Sequence, residues 1–279
     1  MPGLFKKLIF LFVIFSLISC SDKMEENNDL TVAVTLAPYE YLINKIAGDN
    51  VKIITSLPPN ATPHHFEPTA KLIENISKAD YYFRVGANLQ FEEVWVNKLT
   101  GMNKSLKVID LSRDLEDIDG DPHYWLSPNN LKIISEAIHS ELLKVIPDQK
   151  EELNKNLNAF QDSLTTITAE IKNSLEAIPN KKLLVYHGSW SYFARDFGFE
   201  QLTIEQGSKE PTPSDLKRIL NEVKQSKIPV VFVDPQHSKT SAKIVAKELR
   251  VNVDTIDPLK KDILKNLIEV KNKIEKHYK

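Results

Sequence analysis

Three histidines stand at turns that follow apolar, strand-like runs. His64 lies in Thr62-Pro63-His64-His65-Phe66-Glu67-Pro68, His123 in Asp121-Pro122-His123-Tyr124-Trp125, and His187 in Val185-Tyr186-His187-Gly188-Ser189-Trp190. Asp257, in Ile256-Asp257-Pro258-Leu259, stands in the same relation to the last such run. In an open α/β sheet, ligands bind in the crevice outside the carboxyl ends of the strands. Three imidazoles and one carboxylate make a complete tetrahedral set for a divalent transition metal. Glu205 and Asp234 also occupy strand ends. Position alone does not choose among the three carboxylates, and one that does not bind the ion can fix a histidine tautomer by accepting its N–H.

The chain has seven histidines, and they are not equivalent. A proline precedes both His64 and His123 and stiffens their loops, which suits ligands that must be held closely. Tyr124 and Trp125 are placed to wall the site and keep water out. Of the adjacent His64 and His65 one is spare, because neighbouring residues rarely both reach one ion. His237 follows Asp234-Pro235-Gln236 at the same end of the sheet, beside a turn leading to solvent, and ranks behind the other three. His139, within a helical pattern, and His277, near the C-terminus, are expected at the surface.

The elements that must position these groups alternate. Strand-like runs occupy residues 31–36, 51–57, 81–85 and 106–111 in the first half, and 182–186, 201–204, 230–233 and 251–256 in the second. Helical patterns lie between or after them, over 39–47, 68–79, 92–99, 191–197, 212–226, 240–250 and 260–276. Such alternation means right-handed βαβ units and mostly parallel sheets. Between the halves, a helical pattern over 130–145 precedes Pro147. From Asp148 onward Leu153, Leu157, Phe160, Leu164, Ile167, Ile171 and Leu175 recur at three- and four-residue steps, one long amphipathic helix. Asp148, with Glu151 three residues on, reads as its N-terminal cap. The expected fold is α/β: two lobes, each a mostly parallel four-stranded sheet flanked by helices, joined by one long rigid helix. The lobes are expected over 29–147 and 179–279, with the linking helix over 148–178.

Residues 1–19 read as a secretory signal, with Lys6 and Lys7 ahead of an apolar stretch too short to span a bilayer. They end in Leu17-Ile18-Ser19-Cys20, which resembles a bacterial lipobox and makes Cys20 the lipidated residue. Residues 20–28 then form a polar, flexible tether. Cys20 is the one cysteine, so no intramolecular disulfide is available. A net charge of −2 argues against a nucleic-acid partner. The body is expected outside the cytoplasm, held to a membrane by its lipid, and monomeric.

Four segments together are similar to the signatures of one family. They are Pro63-His64-His65-Phe66-Glu67-Pro68, Asp121-Pro122-His123-Tyr124-Trp125-Leu126-Ser127-Pro128, His187-Gly188-Ser189-Trp190-Ser191-Tyr192-Phe193 and Asp257-Pro258-Leu259. They resemble the zinc- and manganese-binding lipoproteins of bacterial ABC transporters, the cluster 9 (cluster A-I) solute-binding proteins. The resemblance covers the mature chain in order. It implies metal ligands at His64, His123, His187 and Asp257, which settles the carboxylate choice. It also implies delivery of the ion to an ABC permease. Glu205, Asp234 and Trp125 are then expected to support the ligands. Members resembling zinc binders carry His at the third motif, and many manganese binders carry Glu, so His187 favours Zn²⁺, with Mn²⁺ the alternative. Many zinc members also carry a long His-rich loop before the second motif; this chain has only the short acidic run 114–120. Two other readings weigh less. A surface adhesin is a role also ascribed to some members, and a secreted zinc hydrolase would need an open coordination position and a catalytic motif that the sequence lacks.

Overall fold

The structure is a computed structural model that describes residues 30–59, 61–63, 66–86, 88–205, 212–237 and 239–279. Cys20, the leader and tether, and His64 lie outside the described residues.

Eight strands of four residues each carry the fold: β1 (Thr31–Val34), β2 (Lys52–Thr55), β3 (Tyr81–Arg84), β4 (Lys107–Asp110), β5 (Lys182–Val185), β6 (Glu200–Thr203), β7 (Val230–Val233) and β8 (Asn252–Thr255). Between or after them come helices α1 (Ala37–Ala47), α2 (Ala70–Ile76), α3 (Gln90–Met102), α4 (Pro128–Val145), α5 (Lys150–Glu176), α6 (Ser191–Phe197), α7 (Pro213–Ser226), α8 (Lys239–Leu249) and α9 (Ile263–Tyr278). The strands form two parallel sheets, ordered β2-β1-β3-β4 and β6-β5-β7-β8. Both lobes therefore share one topology. Central strands are buried on both faces and read as continuous apolar runs, as in the Val-Val-Phe-Val of β7.

The long helix α5 is the spine. Leu153, Phe160, Leu164, Ile171 and Leu175 are its buried positions, at steps of seven, four, seven and four residues. That stripe joins a single buried cluster that also holds Leu36, Tyr39 and Trp125 of the first lobe and Val185, Trp190 and Phe232 of the second. The lobes thus share one core. The helix starts later than its sequence pattern suggests. Pro147 opens a 3₁₀ turn (Pro147–Gln149), Asp148 sits within that turn, and no side chain caps α5. The Gln149 amide is already bonded to the Ile146 carbonyl, 3.0 Å away, so the turn takes over the work of a cap. His277 also departs from expectation. It lies in the last turn of α9, mostly buried, with Nε2 2.9 Å from Asp254 Oδ2.

In each sheet the order reverses beside a central strand, between β1 and β3 and between β5 and β7. In the first lobe that point is filled from within. The Glu92 carboxylate is buried there, accepts the amides of Val85 and Gly86 at 2.8 and 3.1 Å and the Thr35 hydroxyl, and meets Arg84 Nε at 3.4 Å. Burial pushes its carboxyl up to about 7, against the lowering effect of these donors. A carboxyl raised in the fold contributes stability that is full below its unfolded value and is lost as pH rises through the folded one. Stability should therefore fall by up to about 3 kcal/mol between about pH 4.5 and 7 from this group. Urea unfolding of wild type and Glu92→Gln across that range tests it; the variant should show a flatter slope.

Candidate metal centre

The second lobe's reversal point is where the chemistry gathers. His187 stands two residues beyond β5, the central strand, Glu205 two beyond β6, and Asp234 immediately after β7. Since β5 lies between β6 and β7, the sheet order alone sets Glu205 and the β7 turn on either side of His187. The turn after His187 is close to β6: a Cβ on Gly188 would come within 3.0 Å of Thr203 Oγ1, so glycine lets the loop sit there.

His187 is buried, with Nδ1 3.0 Å from Glu205 Oε2. Burial works against protonation of its ring, yet the Glu205 hydrogen bond and the charges of Asp234, Glu205 and Asp121 outweigh it and raise the pKa above the ordinary imidazole value. Asp234 is fully buried, its Oδ2 3.6 Å from His237 Nδ1. Burial above all pushes its carboxyl up to about 7; Asp257 and Glu205 add to this, and His187 opposes it. The His237 ring stacks on that of His187, centroids 4.7 Å apart and planes at 23°. Its Nε2 is 3.6 Å from the same Glu205 oxygen that holds His187.

The first lobe reaches the same place through the loop after β4. His123 begins the 3₁₀ turn Tyr124–Leu126, with its ring 5.4 Å from that of His187. Its Nδ1 is 2.5 Å from Asp121 Oδ1, and its own amide donates to that oxygen at 2.9 Å. The other Asp121 oxygen accepts from the Ser191 hydroxyl, and the Asp121 carbonyl accepts from Tyr192 Oη at 2.9 Å. Burial opposes ionisation of Asp121, but His123 and Ser191 overcome it and hold its carboxyl below the usual range. Trp125 packs 5.2 Å from the His123 ring and donates its indole N–H to the Pro258 carbonyl at 2.6 Å.

One cavity joins these groups. Thr62, Pro63, His123, His187, Asp234, Gln236, His237, Pro258 and Leu259 line it. Thr62 and Pro63 are the described residues that precede His64 in the sequence. Asp257 does not line it. Its Oδ1 accepts from Gln236 Nε2 at 3.0 Å and from the Leu259 amide at 2.9 Å, and it borders the adjoining cleft with Leu36, Glu40 and Lys261.

Residues 32–270 match the family described as zinc-uptake complex component A, periplasmic. The chain belongs to this family. A Chlamydia trachomatis serovar D protein, named provisionally as metal-binding, is 29% identical over 276 residues, 95% of this chain and 97% of that one. The manganese ABC transporter substrate-binding lipoprotein PsaA of Streptococcus pneumoniae is 27% identical over 265 residues, 88% of this chain and 86% of its own. The crystal structure of ZnuA superposes with a TM-score of 0.85 at 32% identity, covering 90% of this chain and all of that one. The fold of the two lobes and their long helix is that of the family.

Two groups in the cavity lie outside the sequence reading. Asp121 is the acceptor that orients His123; the signal was its place two residues ahead of the histidine, where it also closes a turn on the His123 amide. The approach of His237 to Glu205 carried no signal, because 32 residues separate them in sequence and only the strand order unites them. Replacing Glu205 by Gln removes the charge nearest His187. Histidine NMR titration should then show the His187 pKa falling, with His139, remote at Asn154, unchanged.

Proposed function

We propose that the protein captures a divalent transition metal outside the cytoplasm and delivers it to an ABC import permease, with zinc as the cargo. His64, His123, His187 and Asp257 hold the ion. The observation that carries this reading is the meeting of His123 and His187, one from each lobe, in one cavity beside the Pro63 segment, each with Nδ1 on a carboxylate. An Nδ1 so engaged leaves Nε2 as the metal-binding nitrogen, the arrangement that orients imidazole ligands in metal proteins. Imidazole-rich ligation favours zinc over manganese. Asp257 comes to the ion by exchanging Gln236 for it, since Gln236 is its side-chain partner. Four protein ligands leave no open position, which suits holding and release and not hydrolysis. The lipid on Cys20 keeps a monomeric carrier beside its permease.

Manganese is the second reading, favoured by the oxygen donors Glu205 and Asp234 beside the imidazoles.

Chelator-stripped protein titrated in parallel with Zn²⁺ and Mn²⁺ tests the proposal. About one tight zinc per chain is expected, with weaker manganese, and loss of tight binding in His123→Ala. Asp121→Ala should weaken zinc by about 10- to 100-fold, because His123 loses its orienting acceptor. Protons compete for the imidazoles, so affinity should drop as pH falls through the histidine range, starting early because the His187 pKa is raised. Undiminished zinc affinity at about pH 5 would contradict an imidazole ligand set.

A further inference from the structure

His237 is not among the four ligands above, yet it is one of three potential metal ligands already assembled within the second lobe. One ligand atom each from His187, Glu205 and His237 lies within 4.8 Å of the other two. Glu205 Oε2 is the hub, 3.0 Å from His187 Nδ1 and 3.6 Å from His237 Nε2. Ligands bound at 2.0–2.2 Å around a tetrahedral ion stand about 3.3–3.6 Å apart, so little movement would admit one. Asp234 Oδ2, 3.6 Å from His237 Nδ1, is placed to orient the ring as carboxylates do for ligating histidines. The side chains of His187 and Glu205 are 9% and 10% exposed, that of His237 20%, so the trio opens towards solvent on the His237 side.

We propose that the second lobe carries a metal site of its own, formed by His187, Glu205 and His237, which takes a borderline divalent ion such as Zn²⁺ without help from His64 or His123. This inference deepens the metal-capture reading and rests on it for the class of ion. Two imidazoles and one carboxylate leave coordination positions to water, so the site binds more weakly than a four-ligand set. His187 belongs to both. It binds through Nδ1 here and through Nε2 in the four-ligand site, where Glu205 holds Nδ1, so the two sites are alternatives, and an ion reaching the second lobe first is passed on when Glu205 takes Nδ1 back. Binding displaces the proton shared between His187 Nδ1 and Glu205.

The test is zinc titration of the full chain in detergent, as wild type, as His64→Gln/His123→Gln, and as that double variant with His237→Ala added. Gln at 123 keeps a donor for Asp121. The double variant is expected to retain one zinc per chain, weaker than wild type by about 10²-fold or more, and the added His237→Ala to weaken it about tenfold further. A double variant that binds no zinc, or one indifferent to His237→Ala, overturns the inference and leaves the capture reading standing. Wild type that binds none overturns both. Circular dichroism checks the fold of each variant. Should the double variant unfold, His64→Gln alone serves, read by NMR of the His237 ring: zinc should shift it, and an unmoved ring overturns the proposal.

Discussion

The site depends on the seam between the lobes. Trp125 donates to the Pro258 carbonyl, Asp121 accepts from Ser191 and Tyr192, and Ser127 and Arg195 tie the start of α4 to α6. These are bonds between groups far apart in sequence, and the indole and its carbonyl partner are closed off from water, where an unmade hydrogen bond costs most. The imidazoles proposed to bind the ion sit on this seam. His123 is placed by Asp121, and Asp121 is placed by the other lobe. The spine α5 and the common core join the two sheets.

The same seam collects carboxylates. Asp121, Glu205 and Asp234 stand near the imidazoles of His123, His187 and His237 in a place largely closed to water, and Asp257 borders the adjoining cleft. Asp121, Glu205 and Asp257 offset burial through bonds to an imidazole, a hydroxyl or an amide, whereas the buried oxygens of Asp234 have no hydrogen-bond partner among the described residues and its carboxyl is pushed up to about 7. Opposite shifts in Asp121 and Asp234 follow from this difference in partners, not from depth alone. A cluster with this excess of negative groups favours a divalent cation over any neutral or anionic guest. It also favours the proton that competes with an ion for His187, whose pKa these carboxylates raise.

Much of this was legible in the sequence. The apolar runs and their alternation with helical patterns predicted eight strands in two parallel sheets, and the stripe from Leu153 to Leu175 predicted the spine. The central strands β1, β3, β5 and β7 were legible because they are mostly buried and apolar, whereas the edge strands β6 and β8 are more exposed and carry polar residues. What the sequence could not carry was sheet order. Glu205 and Asp234 were visible as strand-end acids, but which of them would touch His187 depends on β5 lying between β6 and β7. Asp257 shows the other limit. Its motif places it at the correct strand end, while the direction of its carboxylate is decided by Gln236 and the Leu259 amide, local contacts that no periodicity encodes. The cap expected at Asp148 failed for a related reason, since Pro147 imposes a 3₁₀ turn that leaves Asp148 inside it.

The two lobes have identical strand order and opposite chemistry at the same point. In the first, Glu92 occupies the crevice beside the central strand and satisfies the amides of Val85 and Gly86. In the second, the corresponding crevice is lined by His187, Asp234 and His237, with Glu205 bonded to His187. A parallel sheet makes a ligand pocket at its reversal point by topology alone. Function then follows from which pocket the chain fills with its own side chain. The first lobe spends its crevice on holding β1, β3 and α3 together and contributes His123 from a loop. The second keeps its crevice for imidazoles and carboxylates.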